Sequence, residues 1–291
     1  MNKVPIRLGD VQETLLIPLY GRARDSRARH PVLGDTRAAE LVDLIDYDFG
    51  GFGGPSLPGS VLRASIFDAW VRRFLDEHPG GTVVELGAGL STRFDRLDDG
   101  RVRWFDLDLP DTIALRREFF GDRERYTMIS GSVLDTDWLD RLAGTPEPRL
   151  FLSEAMLFYL AEDQVRAALT QVARRFPTAT LAFDTGGALM MRSQERNGSM
   201  KAVTARMQWV CDDPGRLEHW GLLLRESRTF ATPPPETAAA WPWRYRYGMP
   251  LLARLAPPIV NSYRLNLYAF NTRDAGGAAP RDTPSFPGGG E

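Results

Sequence analysis

Five short apolar runs, at residues 82–86, 102–108, 125–129, 150–152 and 180–183, alternate with stretches of helical spacing such as 109–120 and 162–176. Apolar runs that alternate with helices are βαβ units, and βαβ units build a parallel sheet with helices on both faces. Residues 221–230 and 262–270 read as two further strands, joined by a connection that contains Pro233, Pro234 and Pro235. Such a pair suits an antiparallel edge on an otherwise parallel sheet. The expected fold class is α/β.

Everything before residue 61 precedes the first strand. Residues 12–20 and 36–45 are amphipathic with helical spacing, and an arginine-rich stretch, 22–30, lies between them. Residues 50–59 form a glycine and proline loop, and 61–75 read as a helix with Leu62, Ile66, Ala69 and Phe74 facing inward. The expected organisation is an N-terminal helical cover over 1–60, mobile above the carboxyl ends of the strands, and a main domain over 61–271. A cap insertion is expected around 186–255. Residues 272–291 are glycine, proline, alanine and charge, a composition expected to be disordered.

Composition narrows the function. In 291 residues, 36 lysines and arginines against 38 aspartates and glutamates leave a net charge of −2. That balance argues against a generic nucleic-acid binder or a polybasic membrane-surface protein, and a small-molecule substrate is the expected partner. Lys3 and Lys201 are the only lysines, so the cations are arginines, which suit bidentate carboxylate recognition. The single Cys211 excludes an intrachain disulfide and any cysteine-rich metal site. His30, His78 and His219 are far apart, so no metal is expected. The first ten residues lack the apolar core of a signal peptide, and no apolar run reaches the ~18 residues of a membrane span. A cytoplasmic protein is expected.

Glu85-Leu86-Gly87-Ala88-Gly89 ends the first strand of the series. Glycines there let the backbone approach a ligand in the crevice at the strands' carboxyl ends. A dinucleotide fingerprint needs a third small residue at position 92, where this chain has Thr92. Glu85 is also badly placed for a pyrophosphate. S-adenosylmethionine has no phosphate and carries an ammonium and a sulfonium, which a carboxylate at the turn would attract. The next strand ends in Asp106-Leu107-Asp108, at the separation expected of an acid that grips a ribose diol. One of the two is expected to do so. Asp108 is favoured because it lies nearer the carboxyl end.

These motifs carry a resemblance. Residues 83–94 (VVELGAGLSTRF) resemble the first motif of the leucine carboxyl methyltransferase family, which includes polyketide O-methyltransferases of the tetracenomycin type. Residues 104–110 (WFDLDLP) resemble its second motif, 130–139 its third, and 153–160 (SEAMLFYL) its glutamate-containing element, with Ala155 where the family commonly has glycine or cysteine. The resemblance runs from about Glu13 to Phe270. It implies a class I methyltransferase fold with a Rossmann-like seven-stranded sheet, S-adenosylmethionine as donor and an oxygen acceptor, often a carboxylate.

By position, the resemblance implies that Arg63 pairs with the donor's carboxylate, that Gly87 and Gly89 line its methionine part, and that Asp108 holds its ribose. It places Ser132 and Val133 at the adenine, Glu154 near the donor amino group and Tyr159 near the acceptor. Glu85 and Asp106 complete the candidate donor site, and Asp184, at the end of its own strand, is a candidate catalytic residue with Tyr159. Tyr20, Arg22 and Arg24 are candidates in the cover, and Trp241, Trp243, Tyr245 and Tyr247 for a flat acceptor. His30 and His219 are candidate bases for a hydroxyl acceptor. The rival readings are a non-catalytic S-adenosylmethionine-binding protein and a nucleotide-dependent oxidoreductase.

Overall fold

The computed structural model describes residues 3–194, 198–201 and 203–270. The expected disordered tail, 272–291, lies outside the described residues. The first apolar run becomes β1 (Thr82–Leu86), in which every residue is buried, as a central strand covered on both faces requires. Beside it lie β2 (Arg103–Asp108), β3 (Tyr126–Ser130), β4 (Arg149–Ser153) and β5 (Thr180–Gly186), all parallel. The antiparallel edge comes from β6 (Leu222–Arg228) and β7 (Tyr263–Phe270). The seven strands run in the order β3-β2-β1-β4-β5-β7-β6.

Period-two alternation sorts the side chains into two cores. Val83, Trp104, Leu150 and Ala182 face α1 (Leu16–Ser26), α2 (Thr36–Leu44) and α3 (Ser56–Glu77). Val84, Leu107, Phe151 and Phe183 face the other way, where Val165, Leu169 and Val172 form the apolar stripe of the helix Glu162–Arg175. The order reverses at β1 and β4, which connect outward in opposite directions. That switch point is where open α/β sheets bind ligands.

The N-terminal region departs from its expected form in three ways. First, α1 does not end near Tyr20 but runs on to Ser26, because Arg22 is buried and paired with Asp35 at 3.0 Å. Second, Pro58 and Gly59 are not loop. They lie in the first turn of α3, where Pro58 forfeits no intrahelical bond and the Gly59 N–H already donates to the Pro55 carbonyl at 3.0 Å. Residue 60 is therefore inside a helix rather than at a boundary. Third, a short parallel pairing of Val4–Pro5 with Ile45–Asp46, unforeseen from the sequence, ties the chain's start to the end of α2. The expected cap at 186–255 is also not one insertion, since β6 lies within it.

The cover is anchored rather than loose. Leu16, Leu19 and Leu41 are fully buried, each worth about 1.5–3 kcal/mol relative to exposure. Phe49 and Phe52 of the glycine-rich loop pack into an aromatic cluster with Tyr20 and Tyr47, with ring centroids 5.2–6.4 Å apart. Asp35 caps α2 by accepting from the Ala38 N–H at 3.0 Å. Motion of the whole cover would break all of these together. On binding S-adenosylhomocysteine, amide exchange should slow at residues 11–18 and 55–63, which bear the cavity-lining side chains, and stay unchanged in α2. Equal slowing across α2 in hydrogen-exchange mass spectrometry would show the cover moving as a unit.

Candidate functional site

Glu85, Asp106 and Asp108 share one face of the sheet, and Glu154 and Asp184 join them from the ends of β4 and β5. Carboxylates buried together without compensation would be costly. Arginines from three helices meet them. Arg93 opens a short helix, α4 (Arg93–Leu97), and its side chain is buried. Its Nε donates to Asp68 at 2.7 Å, and its two terminal nitrogens pair with Glu85 and Glu154. From α3, Arg63 donates to the other Glu154 oxygen at 2.7 Å and to the Tyr263 hydroxyl at 3.4 Å. Arg116, on α5 (Pro110–Arg117), pairs with Asp106 and donates to the Gly89 carbonyl at 2.6 Å. On the cover side, Asp35 receives Arg22 at 3.0 Å, Arg96 at 2.9 Å and the Thr92 hydroxyl at 2.5 Å.

These pairs fix the glycine turn. Gly87 and Gly89 have φ of +72° and +52°, the left-handed region that favours glycine. A Cβ on Gly87 would collide with the Met156 side chain, and one on Gly89 would come within 3.2 Å of Leu15. Asp108 accepts from the Gly89 N–H at 2.7 Å, and Arg22 donates to the Leu90 carbonyl at 2.8 Å. Thr92, which spoils a dinucleotide fingerprint, instead links the turn to the cover.

A cavity of about 1050 Å³ opens over this turn. Arg63, Glu85, Gly87, Gly89 and Asp108 line it, together with Ser132, Val133, Glu154 and Tyr159. Asp106 does not. It lies deeper along the same face, 2 % exposed, held by Arg116, the Tyr126 hydroxyl at 2.5 Å and Trp104 Nε1 at 3.0 Å. Asp184 is not in the lining either. It sits behind Tyr263, accepting from that hydroxyl and from the Ala155 N–H at 2.9 Å. Neither carboxylate occupies the ligand-facing position expected from the sequence. Ala155 itself has φ +59°, the one non-glycine residue with positive φ among those described. A glycine there would relieve that strain.

The other candidates scatter. Arg22 and Tyr245 line the cavity, while Tyr20 stacks on Phe49 and Arg24 lies over the Tyr20 ring. Trp241 is buried and donates to Ser65, and Trp243 and Tyr247 face solvent. His30 and His219 are exposed and away from the cavity. Sequence reasoning missed Arg93, Asp68, Arg116 and Tyr263. Arg93 stood inside a quoted motif, but spacing alone does not separate a buried arginine from a solvated one.

The lining fits an S-adenosylmethionine donor. An arginine beside a glutamate, both facing the cavity, complements an α-amino acid zwitterion, with Arg63 for its carboxylate and Glu154 for its ammonium. Asp108 is only half-buried, and beyond the Gly89 and Leu109 N–H groups and the nearby Thr112 hydroxyl its carboxylate keeps acceptor capacity for ribose hydroxyls. Burial pushes its pKa upward, so two hydroxyl donors would stabilise its charge.

Charge compensation differs between neighbours. Burial acts to raise Glu154, but Arg63 and Arg93 outweigh it and bring the carboxyl down to about 2. Asp184 is raised by burial, only partly offset by Arg63, to about 6. The folded chain thus holds a proton that the unfolded chain releases near pH 4. The stability tied to that proton is present below pH 4 and is lost as pH rises through about 6. Relative to the parent, Asp184→Asn should therefore gain about 2–3 kcal/mol between pH 4 and pH 7 in urea unfolding. A difference that stays constant with pH would contradict this assignment.

A family model for leucine carboxyl methyltransferases matches residues 53–173. The chain is 38% identical over 216 residues to the tetracenomycin polyketide synthesis O-methyltransferase TcmP of Streptomyces glaucescens, covering 73% of this chain and 80% of that protein. It is 30% identical over 252 residues to the S-adenosyl-L-methionine-dependent methyltransferase dpfgK of Gibberella zeae, covering 78% and 84%. Among solved structures, a DUF574 family protein from Streptomyces avermitilis aligns with a TM-score of 0.53 at 12% identity, covering 88% of this chain and 97% of that one. A Thermobifida fusca protein assigned as a methyltransferase aligns at 0.51 and 15% identity, covering 87% and 94%. These two speak to the fold alone. The sheet order, the glycine turn over a donor-shaped cavity and the two sequence relatives together place the chain in the leucine carboxyl methyltransferase family, as an S-adenosylmethionine-dependent methyltransferase of the class I fold.

Proposed function

We propose that the chain is an O-methyltransferase acting on a small, flat, largely apolar acid of the polyketide type, with a carboxylate as the favoured acceptor. The observation that carries this reading is the cavity beyond the donor turn. Its remaining lining is apolar and adaptable, with Met190, Met207 and Met249 beside Phe158, Phe230 and Tyr245. Among the described residues no histidine lines it. The name of the Streptomyces glaucescens relative, a polyketide O-methyltransferase, supports an oxygen acceptor of the polyketide type.

When bound, S-adenosylmethionine supplies an already activated methyl group, so the protein's work is orientation and exclusion of water. Arg63 and Glu154 hold the donor's amino-acid end, and Asp108 its ribose. Asp184, through Tyr263, keeps Arg63 in place as a positioning residue. Tyr159 sits on the cavity wall in the turn Leu157–Tyr159, beside Thr14 of the cover. Burial raises its pKa, so it stays protonated and can donate to an acceptor oxygen. A carboxylate acceptor is already ionised at neutral pH and needs no base. A phenol near pKa 10 would gain from one, and the carboxylates in the described lining are given to arginines or to the donor.

The test is methyl transfer to paired aromatic substrates that differ only in carrying a carboxyl or a phenol. The expected product is a base-labile methyl ester, with kcat/KM flat from pH 7 to 9, above the titration of Asp184 at about 6. An alkali-stable ether as the sole product would overturn the carboxylate assignment. Binding of S-adenosylhomocysteine with no transfer to any acceptor would favour a non-catalytic role.

A further inference from the structure

The helix α6 (Trp243–Leu255) buries none of its residues. Trp243, Tyr247, Leu251 and Leu255 recur every four positions and are 78, 63, 57 and 77% exposed. That spacing keeps them on one strip of the helix. Arg244, Arg246 and Arg254 are also exposed on this helix, and no aspartate or glutamate occurs from Thr237 to Phe270. On its other side, Tyr245, Met249 and Leu252 line the cavity. The helix is thus a wall of the acceptor space whose outer surface is apolar and cationic only. Single exposed apolar residues are ordinary, whereas a contiguous strip marks a docking surface.

The chemistry selects the occupant. Against a second copy about a two-fold axis, the same patch meets itself and arginine faces arginine. Nucleic acid would satisfy the arginines but leave Leu251 and Leu255 in water. We propose that α6 seats on an anionic lipid bilayer, with its aromatic and leucine strip in the headgroup region and its arginines against lipid phosphates. Leu189, Leu252 and Ile259 are at once exposed and part of the cavity lining, so the cavity opens beside the same surface. An apolar acceptor dissolved in lipid would enter there. Among the described residues no helix is long and apolar enough to cross a membrane, so this helix lies on the bilayer. The chain-wide charge of −2 gives no hint of the patch, because it averages over the whole sequence.

The test is sedimentation of the full chain with vesicles of phosphatidylcholine alone and of phosphatidylcholine mixed with phosphatidylglycerol. Three arginines at the surface should strengthen partitioning into the mixed vesicles by roughly a hundredfold. The double variant Leu251→Glu, Leu255→Glu should lose tenfold or more of that binding while still binding S-adenosylhomocysteine, which shows that it folds. Arg244→Gln with Arg254→Gln should lower binding toward the phosphatidylcholine value. Equal or absent binding to both vesicles would overturn the proposal. So would a parent dimer that the leucine variant splits, which would assign the strip to a second copy.

Discussion

Everything at the carboxyl end of the sheet depends on guanidinium groups that hold buried carboxylates apart from one another. Arg93 touches Asp68, Glu85 and Glu154 at once, and thereby ties α3, β1 and the end of β4 into one unit. Removing one partner from such a cluster leaves a charge stranded in a poorly solvated place, at a cost of about 3–5 kcal/mol. The arrangement is therefore cooperative. Arginine suits these positions, since one planar fork can serve two or three acids in fixed directions.

Position along a strand then decides what each acid does. Asp106 and Asp108 lie on the same face of the same strand, two residues apart. The deeper one is consumed by Arg116 and Tyr126 and becomes structure. The outer one holds the Gly89 amide, faces the cavity and stays available to a ligand. The same logic separates Glu154, at the rim between two arginines, from Asp184, behind Tyr263. Their acidities diverge accordingly, one at about 2 and the other at about 6.

Much of the fold was legible in the sequence because its signals are local. Apolar runs, glycine turns and helix spacing marked every strand of the main sheet to within a few residues. The candidate donor-site residues came from ordered motifs, and Arg63, Gly87, Gly89, Asp108 and Glu154 line one cavity. What escaped was non-local. The burial of Arg22, Arg93 and Arg116 depends on acids 8 to 61 positions away, which no spacing rule connects. Pro58 and Gly59 read as loop because the tolerance of a helix's first turn for both depends on where the helix begins. Trp243 and Tyr247 read as acceptor-pocket aromatics in the sequence, and only packing shows that none of the described residues covers them.

The central claim is that the donor site is built on the outer carboxylate of β2 and that the inner one serves the scaffold. Calorimetric titration of S-adenosylhomocysteine into Asp108→Ala and Asp106→Ala tests it directly. Loss of hydrogen bonds to a charged acceptor is worth about 1.5–3 kcal/mol, so Asp108→Ala should weaken binding roughly ten- to a hundredfold with little change in melting temperature. Asp106→Ala should lower the melting temperature and leave the affinity of the folded protein nearly unchanged. Unchanged affinity in Asp108→Ala together with collapse in a still-folded Asp106→Ala would contradict the account.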